Sequence, residues 1–374
     1  MGRGGSQELV ALEASAPARD EREVTLLGPG YGESVVVHLG GAKWMIVDSC
    51  INRSTRRPAA LTYLDSIGVS PEAVVAVVAS HWHDDHIRGL AEIVSECAGA
   101  EFICSSALAT REFLQLVSTD GLSQTRLTSG VAEFRKVLDV VTGRDPAVAS
   151  RTPKFAAADM ILWEGSNEAS GTRVVALTPS SAAQLSASQT IARLVPSVTS
   201  KRVRIPDLRP NDYSVAAMLD HASHGALLGA DLETTSAPDT GWNGVFGNSV
   251  SVSPASLYKV AHHGSETGHH DQIFTDLMAP MGVCVLTPFR RGKVSLPLED
   301  DVSRIVARSG GELYSTALGR GRDAPRDAAV TRTLRDMGAT VEKIDPVMGT
   351  VQLRRRPDEK EWRIGLSESA GRLG

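Results

Sequence analysis

The stretch His81-Trp82-His83-Asp84-Asp85-His86 gathers three imidazoles and two carboxylates in six residues. Neutral imidazole nitrogen and carboxylate oxygen are ligands for first-row divalent metals. In an extended segment residues i, i+2 and i+4 face one way, so His83 and Asp85 are expected beside His81, with His86 turned away as a helix begins. Two ligand sets with different directions suit two neighbouring ions. The bland alternative is a polar loop that holds histidines by chance. Seven of the ten histidines fall in this loop or in the segment 262–270, which weighs against chance.

The elements that must position this loop are legible on either side. Ala73 to Ala79 is a short apolar, β-branched run that reads as a buried strand. Ile87 to Val94 has the apolar spacing of a helix. The metal-ligand residues therefore sit in a strand-to-helix loop.

His81-x-His83-x-Asp85-His86, with Arg88-Gly89-Leu90 behind it, resembles the signature of the metallo-β-lactamase-fold hydrolases at all four signature positions. The resemblance implies an α/β fold, a four-layer αββα sandwich with helical insertions here. It does not fix the reaction, because the superfamily includes lactamases, thioesterases, lactonases, phosphodiesterases and nucleases. It also implies roles for residues elsewhere. Asp48 ends the strand from Lys43, and the family's Asp in that context holds metal ligands through hydrogen bonds from outside the ligand set. Asp231 ends the apolar strand from Gly225, where the family's Asp bridges both metals.

Leu257 to Ala261 is a further strand, and it delivers His262-His263-Gly264-Ser265. Strand, His-His-Gly-Ser and polar loop resemble the subgroup that includes the hydrolase domain of bacterial competence DNA-uptake proteins, over about residues 22–300. The resemblance implies His81, His83 and Asp231 for one ion, and Asp85, His86, Asp231 and His262 for the other. His262 is the first choice there; His263 is either the ligand instead or a substrate-facing proton donor, a catalytic role beside that of Asp85. Two departures stand out. No histidine occurs between His86 and His221, where relatives complete the first site, and none follows the strand 283–286. A site short of a third histidine keeps an extra solvent or substrate position. Its oxygen-rich set also suits manganese better than a three-histidine set would, so the cofactors expected are two divalent ions, zinc or manganese.

Length and composition bound the rest. A chain of 374 residues, 42% hydrophobic and 22% charged, can build one large α/β domain with insertions, or two domains. A net charge of -5 gives no global pull towards nucleic acid. The four cysteines have no paired spacing and read as buried free thiols. No apolar stretch is long enough to cross a bilayer, and residues 1–20 lack the apolar core of a signal peptide, so they read as a mobile tail on a cytoplasmic protein with no membrane partner.

Taken in order, residues 21–374 form the metallo-β-lactamase-fold domain. Strands are expected at 23–27, 33–39, 43–48, 101–104, 172–177, 211–219, 225–231, 257–261, 283–286, 312–314, 341–344 and 351–354. Helices are expected at 58–67, 88–97, 131–141, 298–307 and 328–337. Residues 107–158 and 181–210 carry no ligand cluster and read as insertions, a lid or a docking surface for a protein partner. His221 and His224 fall in a turn at the wrong strand end to be ligands. Arg354-Arg355-Arg356, offset by Asp358, Glu359 and Glu361, reads as ordinary surface.

Two divalent ions bridged by a carboxylate lower the pKa of a shared water towards neutrality and present hydroxide as a nucleophile. Arg290, Arg291 and Lys293 follow a strand expected to end at the metal face, and such a rim suits an anionic substrate. The leading expectation is therefore a metal-dependent phosphodiester hydrolase, a nuclease, with nucleic acid or a nucleotide as substrate. The alternatives are hydrolysis of a small ester, lactone or cyclic nucleotide, or a partner-dependent subunit with a weakened site. The last follows from the two missing histidines and the insertions, and proteins resembling this one also occur in multi-gene bacterial conflict and antiphage systems.

Overall fold

The computed structural model describes residues 8–109, 113, 129–169, 171–192, 210–221, 225–247, 252–310, 312–318, 332–333, 337 and 347–373. In chain order the strands are β1 (Glu8–Val10), β2 (Arg22–Gly28), β3 (Ser34–Gly40), β4 (Lys43–Val47), β5 (Ile51–Asn52), β6 (Arg57–Pro58), β7 (Val74–Ala79), β8 (Glu101–Ser105) and β9 (Lys154–Ala156). They continue with β10 (Ile161–Glu164), β11 (Arg173–Ala176), β12 (Ala217–Asp220), β13 (Ala226–Leu228), β14 (Ala255–Lys259), β15 (Met278–Leu286), β16 (Phe289–Arg291), β17 (Val294–Leu296) and β18 (Leu313–Ser315). The last three are β19 (Gly349–Arg355), β20 (Arg363–Leu366) and β21 (Gly371–Arg372).

One sheet runs β1-β20-β19-β2-β3-β4-β7-β8-β9 and the other β10-β11-β12-β13-β14-β15-β18-β21. Side chains alternate across each strand, so each sheet has two faces to cover. Val35 and Val37 of β3 pack into the layer between the sheets, with Leu219, Leu228, Leu257 and Val285 from the other side. Val36, between them in sequence, packs outward. The outer face of the first sheet is covered by α1 (Ala59–Ser66), α3 (Leu90–Glu96), which follows the single turn α2 (Asp84–Ile87), and α4 (Ser129–Thr142). α5 (Ser181–Ala192) adds Ala183, Ala187 and Ile191 to the same cluster. Trp242 of α6 (Gly241–Gly247) and Ile305 of α7 (Glu299–Ser309) cover the second sheet. Each Val, Leu or Ile buried in these layers contributes about 1.5–3 kcal/mol of transfer free energy. The result is the expected four-layer sandwich.

Three expectations need correction. Residues 8–20 are not a tail: β1 pairs parallel with β20, and the Glu13 N–H donates to the Gln352 side chain at 2.8 Å. Arg354 and Arg355 are not surface residues. Arg354 is 1% exposed because Glu23, at 2.7 Å, and Glu13, at 2.9 Å, neutralise it across more than 300 residues of sequence. The segment 107–158 is no lid in its described parts. Val131, Phe134, Val137 and Val141 of α4 belong to the outer core, and β9 extends the first sheet beside β8. The amphipathic pattern of α4 was covering a sheet face rather than a cleft.

The helix expected at 328–337 and the strand at 341–344 fall largely or wholly outside the described residues, as does His224. No helix among the described residues is long and apolar enough to cross a membrane. All four cysteines are free and buried.

Candidate metal centre

Every residue of the centre follows the C-terminal end of a strand. β4 delivers Asp48, β7 the loop 80–86, β13 Asp231, β14 His262 and His263, and β15 Thr287. β4 and β7 are parallel neighbours, as are β13, β14 and β15, so their ends open on one edge of the sandwich. Close approach there is built in: a Cβ on Gly229 would lie 2.9 Å from the Ala261 Cβ and from the Lys259 carbonyl oxygen. Asp48, Ala230, His262 and His263 all hold positive φ (60°, 45°, 47° and 53°). Such backbone costs about 1–3 kcal/mol per residue and persists where surrounding contacts enforce it.

The loop itself is extended only as far as His83. Asp84 starts a helical turn, so the two-residue alternation ends there. Asp85 consequently joins His86 rather than His81. His86 is not turned away: its ring lies 4.4 Å from that of His81, centroid to centroid.

Two groups of ligand atoms result. His81 Nε2 lies 3.0 Å from His83 Nδ1 and 3.9 Å from Asp231 Oδ2. His86 Nε2 lies 3.2 Å from Asp231 Oδ2 and 3.7 Å from Asp85 Oδ2. His263 Nε2 lies 3.4 Å from Asp85 Oδ2 and 3.5 Å from Asp231 Oδ2. Within each group, His81, His83 and Asp231 or Asp85, His86, Asp231 and His263, the ligand atoms lie within 4.8 Å of one another. Asp231 is common to both. Asp48 also neighbours His81 and His86, but its carboxylate already accepts from the Ser80 N–H at 2.7 Å, the Ser80 hydroxyl at 2.6 Å and His86 Nδ1 at 2.7 Å. It orients ligands rather than offering itself as one.

The donor set fits a metal. His86 Nδ1 donates to Asp48, and His263 Nδ1 donates to the Thr287 carbonyl at 2.9 Å, which aims each Nε2 inward as the atom left for a metal. His86 Nε2, His263 Nε2 and Asp231 Oδ1 are buried without a hydrogen-bond partner. Orphaned polar atoms of this kind are rare unless an ion or ligand completes them.

The charges agree. Burial alone would raise the Asp231 carboxyl, but His86 and His263 outweigh it and hold it well below its ordinary value. Burial would lower His86, yet Asp231 and Asp85 hold it well above, and His263 is likewise pushed up to about 10. Burial and its imidazole neighbours hold His81 well below. Burial also raises the Asp48 carboxyl. The cluster holds buried carboxylates whose charge imidazole protons or bound cations must balance.

His262 is not in it. Its Nδ1 lies 2.9 Å from the Thr267 hydroxyl and 3.1 Å from Glu233, and its Nε2 faces Asn211. The first-choice assignment is therefore corrected in favour of His263. The rim is corrected too. Phe289 and Arg291 share one face of β16: Phe289 lies 5.5 Å from the Tyr31 ring, and Arg291 Nη1 donates to the Tyr31 hydroxyl at 3.0 Å. Arg290 projects from the opposite face, and Lys293 occupies the exposed turn before β17. Tyr31, Glu33, Ser80, Lys259 and Thr287 are the residues that sequence reasoning missed. Lys259 carried a signal, being a charge within an apolar strand next to the His-His pair.

Residues 27–150 match the family model described as the Metallo-beta-lactamase superfamily. The fold is a metallo-β-lactamase fold. Similar solved structures include the metallo-beta-lactamase fold protein YhfI from Bacillus subtilis, at 15% identity and TM-score 0.41, covering 80% of this chain and 98% of that one. A Cronobacter sakazakii metallo-beta-lactamase with a HARLDQ motif is similar at 13% identity and TM-score 0.31, covering 57% of this chain and 64% of that one. The metallo-beta-lactamase SMB-1 bound to 2-mercaptoethanesulfonate is similar at 12% identity and TM-score 0.34, covering 70% and 87%. No curated protein matches the chain.

Proposed function

We propose that the protein is a metal-dependent hydrolase of phosphodiester bonds, acting on nucleic acid or a nucleotide. His81, His83 and Asp231 would hold one divalent ion, and Asp85, His86, Asp231 and His263 the other. Bound there, such ions supply an activated water and stabilise negative charge on the attacked group. Asp48 and the Thr287 carbonyl keep His86 and His263 in one tautomer.

The observation that carries the phosphodiester reading is the surround of Tyr31. Arg291 stands 5.3 Å and Arg88 5.9 Å from its ring centroid. Phe289 bridges from Tyr31 to His263, 5.3 Å from the latter. Two guanidinium groups and two aromatic rings thus border the centre on one side. Guanidinium pairs with phosphate oxygens in bidentate fashion, and aromatic rings stack on bases. A lactam, lactone or thioester needs neither.

The test is purified protein with manganese or zinc, offered plasmid, single-stranded DNA, RNA, bis(p-nitrophenyl) phosphate and nitrocefin. Cleavage of a phosphodiester is expected, abolished in His83→Ala. In Arg88→Ala plus Arg291→Ala it should fall at least about tenfold on polymeric substrate, with a weaker dependence on salt. Turnover of nitrocefin with every phosphodiester left intact would overturn the reading.

A further inference from the structure

Beneath the metal centre, between the sheets, lies a buried ion pair. Lys259 Nζ is 2.5 Å from Glu33 Oε1, and both side chains are 1% exposed. The pair lines a void of about 10 Å³ together with Asp48, Ala230, Val47 and Leu228. A buried ion pair is a poor source of stability, because desolvation consumes most of the attraction and apolar replacements of similar volume often serve as well. Its partners indicate another use.

Glu33 and Lys259 reach three of the four ligands of one site. The Glu33 backbone N–H donates to the Asp85 carbonyl at 2.8 Å. Its carboxylate accepts from the Thr287 hydroxyl, while the Thr287 carbonyl accepts from His263 Nδ1 at 2.9 Å. Lys259 Nζ donates to the carbonyl of Ala230 at 2.9 Å, and Ala230 holds φ 45° immediately before Asp231. None of these contacts reaches His81 or His83.

Resting on the metal-centre reading above, we propose that the Glu33–Lys259 pair is a positioning device for one metal site. It holds Asp231, through the Ala230 carbonyl, and His263, through Thr287, in register for the ion they share with His86, while the Glu33 backbone anchors Asp85 beside them. The two opposite charges add no net charge to a site already rich in carboxylates. The pair acts through the ligands and touches no reacting atom.

The experiment is calorimetric and chelator-competition titration of the whole chain with zinc, alongside absorption spectra of the cobalt-loaded protein. The variants are Glu33→Gln plus Lys259→Met, which removes both charges together, and Thr287→Val, which keeps the ion pair and nearly the same volume. Both should weaken the ion held by Asp85, His86 and His263 by about 10–100-fold, with its cobalt bands shifted, and weaken the ion at His81 and His83, which shares only Asp231 with this device, less. Lys259→Arg alone, which keeps the positive charge, should lose less than the double variant. If the double variant does not fold, Thr287→Val decides alone. Two ions bound with wild-type affinities and spectra in a folded variant would overturn the positioning role. A wild-type protein that takes up no ion would overturn the metal-centre reading first, and this proposal with it.

Discussion

Asp48 Oδ2 accepts the Nδ1 proton of His86 at 2.7 Å, and both side chains are shut off from water. The same carboxylate holds both the N–H and the hydroxyl of Ser80, whose hydroxyl lies 2.9 Å from His81 Nδ1. One residue at the end of β4 therefore sets the orientation of two imidazoles delivered by β7. Asp48→Ala should weaken divalent-metal binding by about 10–100-fold without removing any ligand. Chelator competition on the folded variant measures this, and an unchanged affinity would show that Asp48 is dispensable.

His263→Ala should lose one of two bound ions, whereas His262→Ala should keep both. The difference follows from where the rings point. His263 Nε2 faces Asp85 and Asp231, and His262 faces Glu233, Asn211 and Thr267. Elemental analysis of the two reconstituted variants separates the cases, and the reverse result would restore the assignment read from sequence.

That error shows where sequence reasoning runs out. The strands next to the loop were legible because β7 is a continuous apolar run and β3 alternates cleanly between two covered faces. The ligand types and Asp231 were legible because strand ends announce themselves. The choice between adjacent histidines was not, since both adopt left-handed backbone and no periodic rule says which ring turns inward. The alternation that sets Asp85 beside His81 fails for another reason, because the helix begins at Asp84, one turn earlier than the apolar pattern indicates. The ligand sets implied by the resemblance pair Asp85 with His86, as the structure does. Arg354 looked solvated because its sequence neighbours balance its charge, while its true partners, Glu13 and Glu23, lie at the other end of the chain. β1, β9, β20 and β21 are two to four residues long, too short to show a period.

Ion uptake at neutral pH should release protons. In the ion-free protein Asp231 and Asp85, outweighing burial, hold His86 well above its ordinary value, and His263 is pushed up to about 10. Both are therefore protonated at pH 7, and a metal taking their lone pairs must displace those protons; His81, held low, has none to give. Release of the protons on His86 and His263 is expected as their ion binds, and affinity should rise with pH. Calorimetry in two buffers of different ionisation enthalpy counts them. Binding with no net release would contradict this charge balance.

Stability should also fall in mild acid through a group remote from the metal loop. Burial, with Arg22 and Arg354 nearby, lowers His38 to about 4, although its Nδ1 donates to the Glu21 carbonyl at 2.8 Å. The unfolded chain protonates this residue near its ordinary value of 6.5, while the folded one resists until about 4. Between those values the unfolded state binds more protons, so the contribution is complete above about pH 6.5 and is lost as pH falls towards 4. A gap of that size corresponds to about 3 kcal/mol from one side chain. His38→Gln keeps a donor for Glu21 but cannot titrate. Denaturant unfolding of the two proteins at pH 7, 5.5 and 4.5 should therefore show a shallower acid loss in the variant, and parallel losses would assign the acid sensitivity elsewhere.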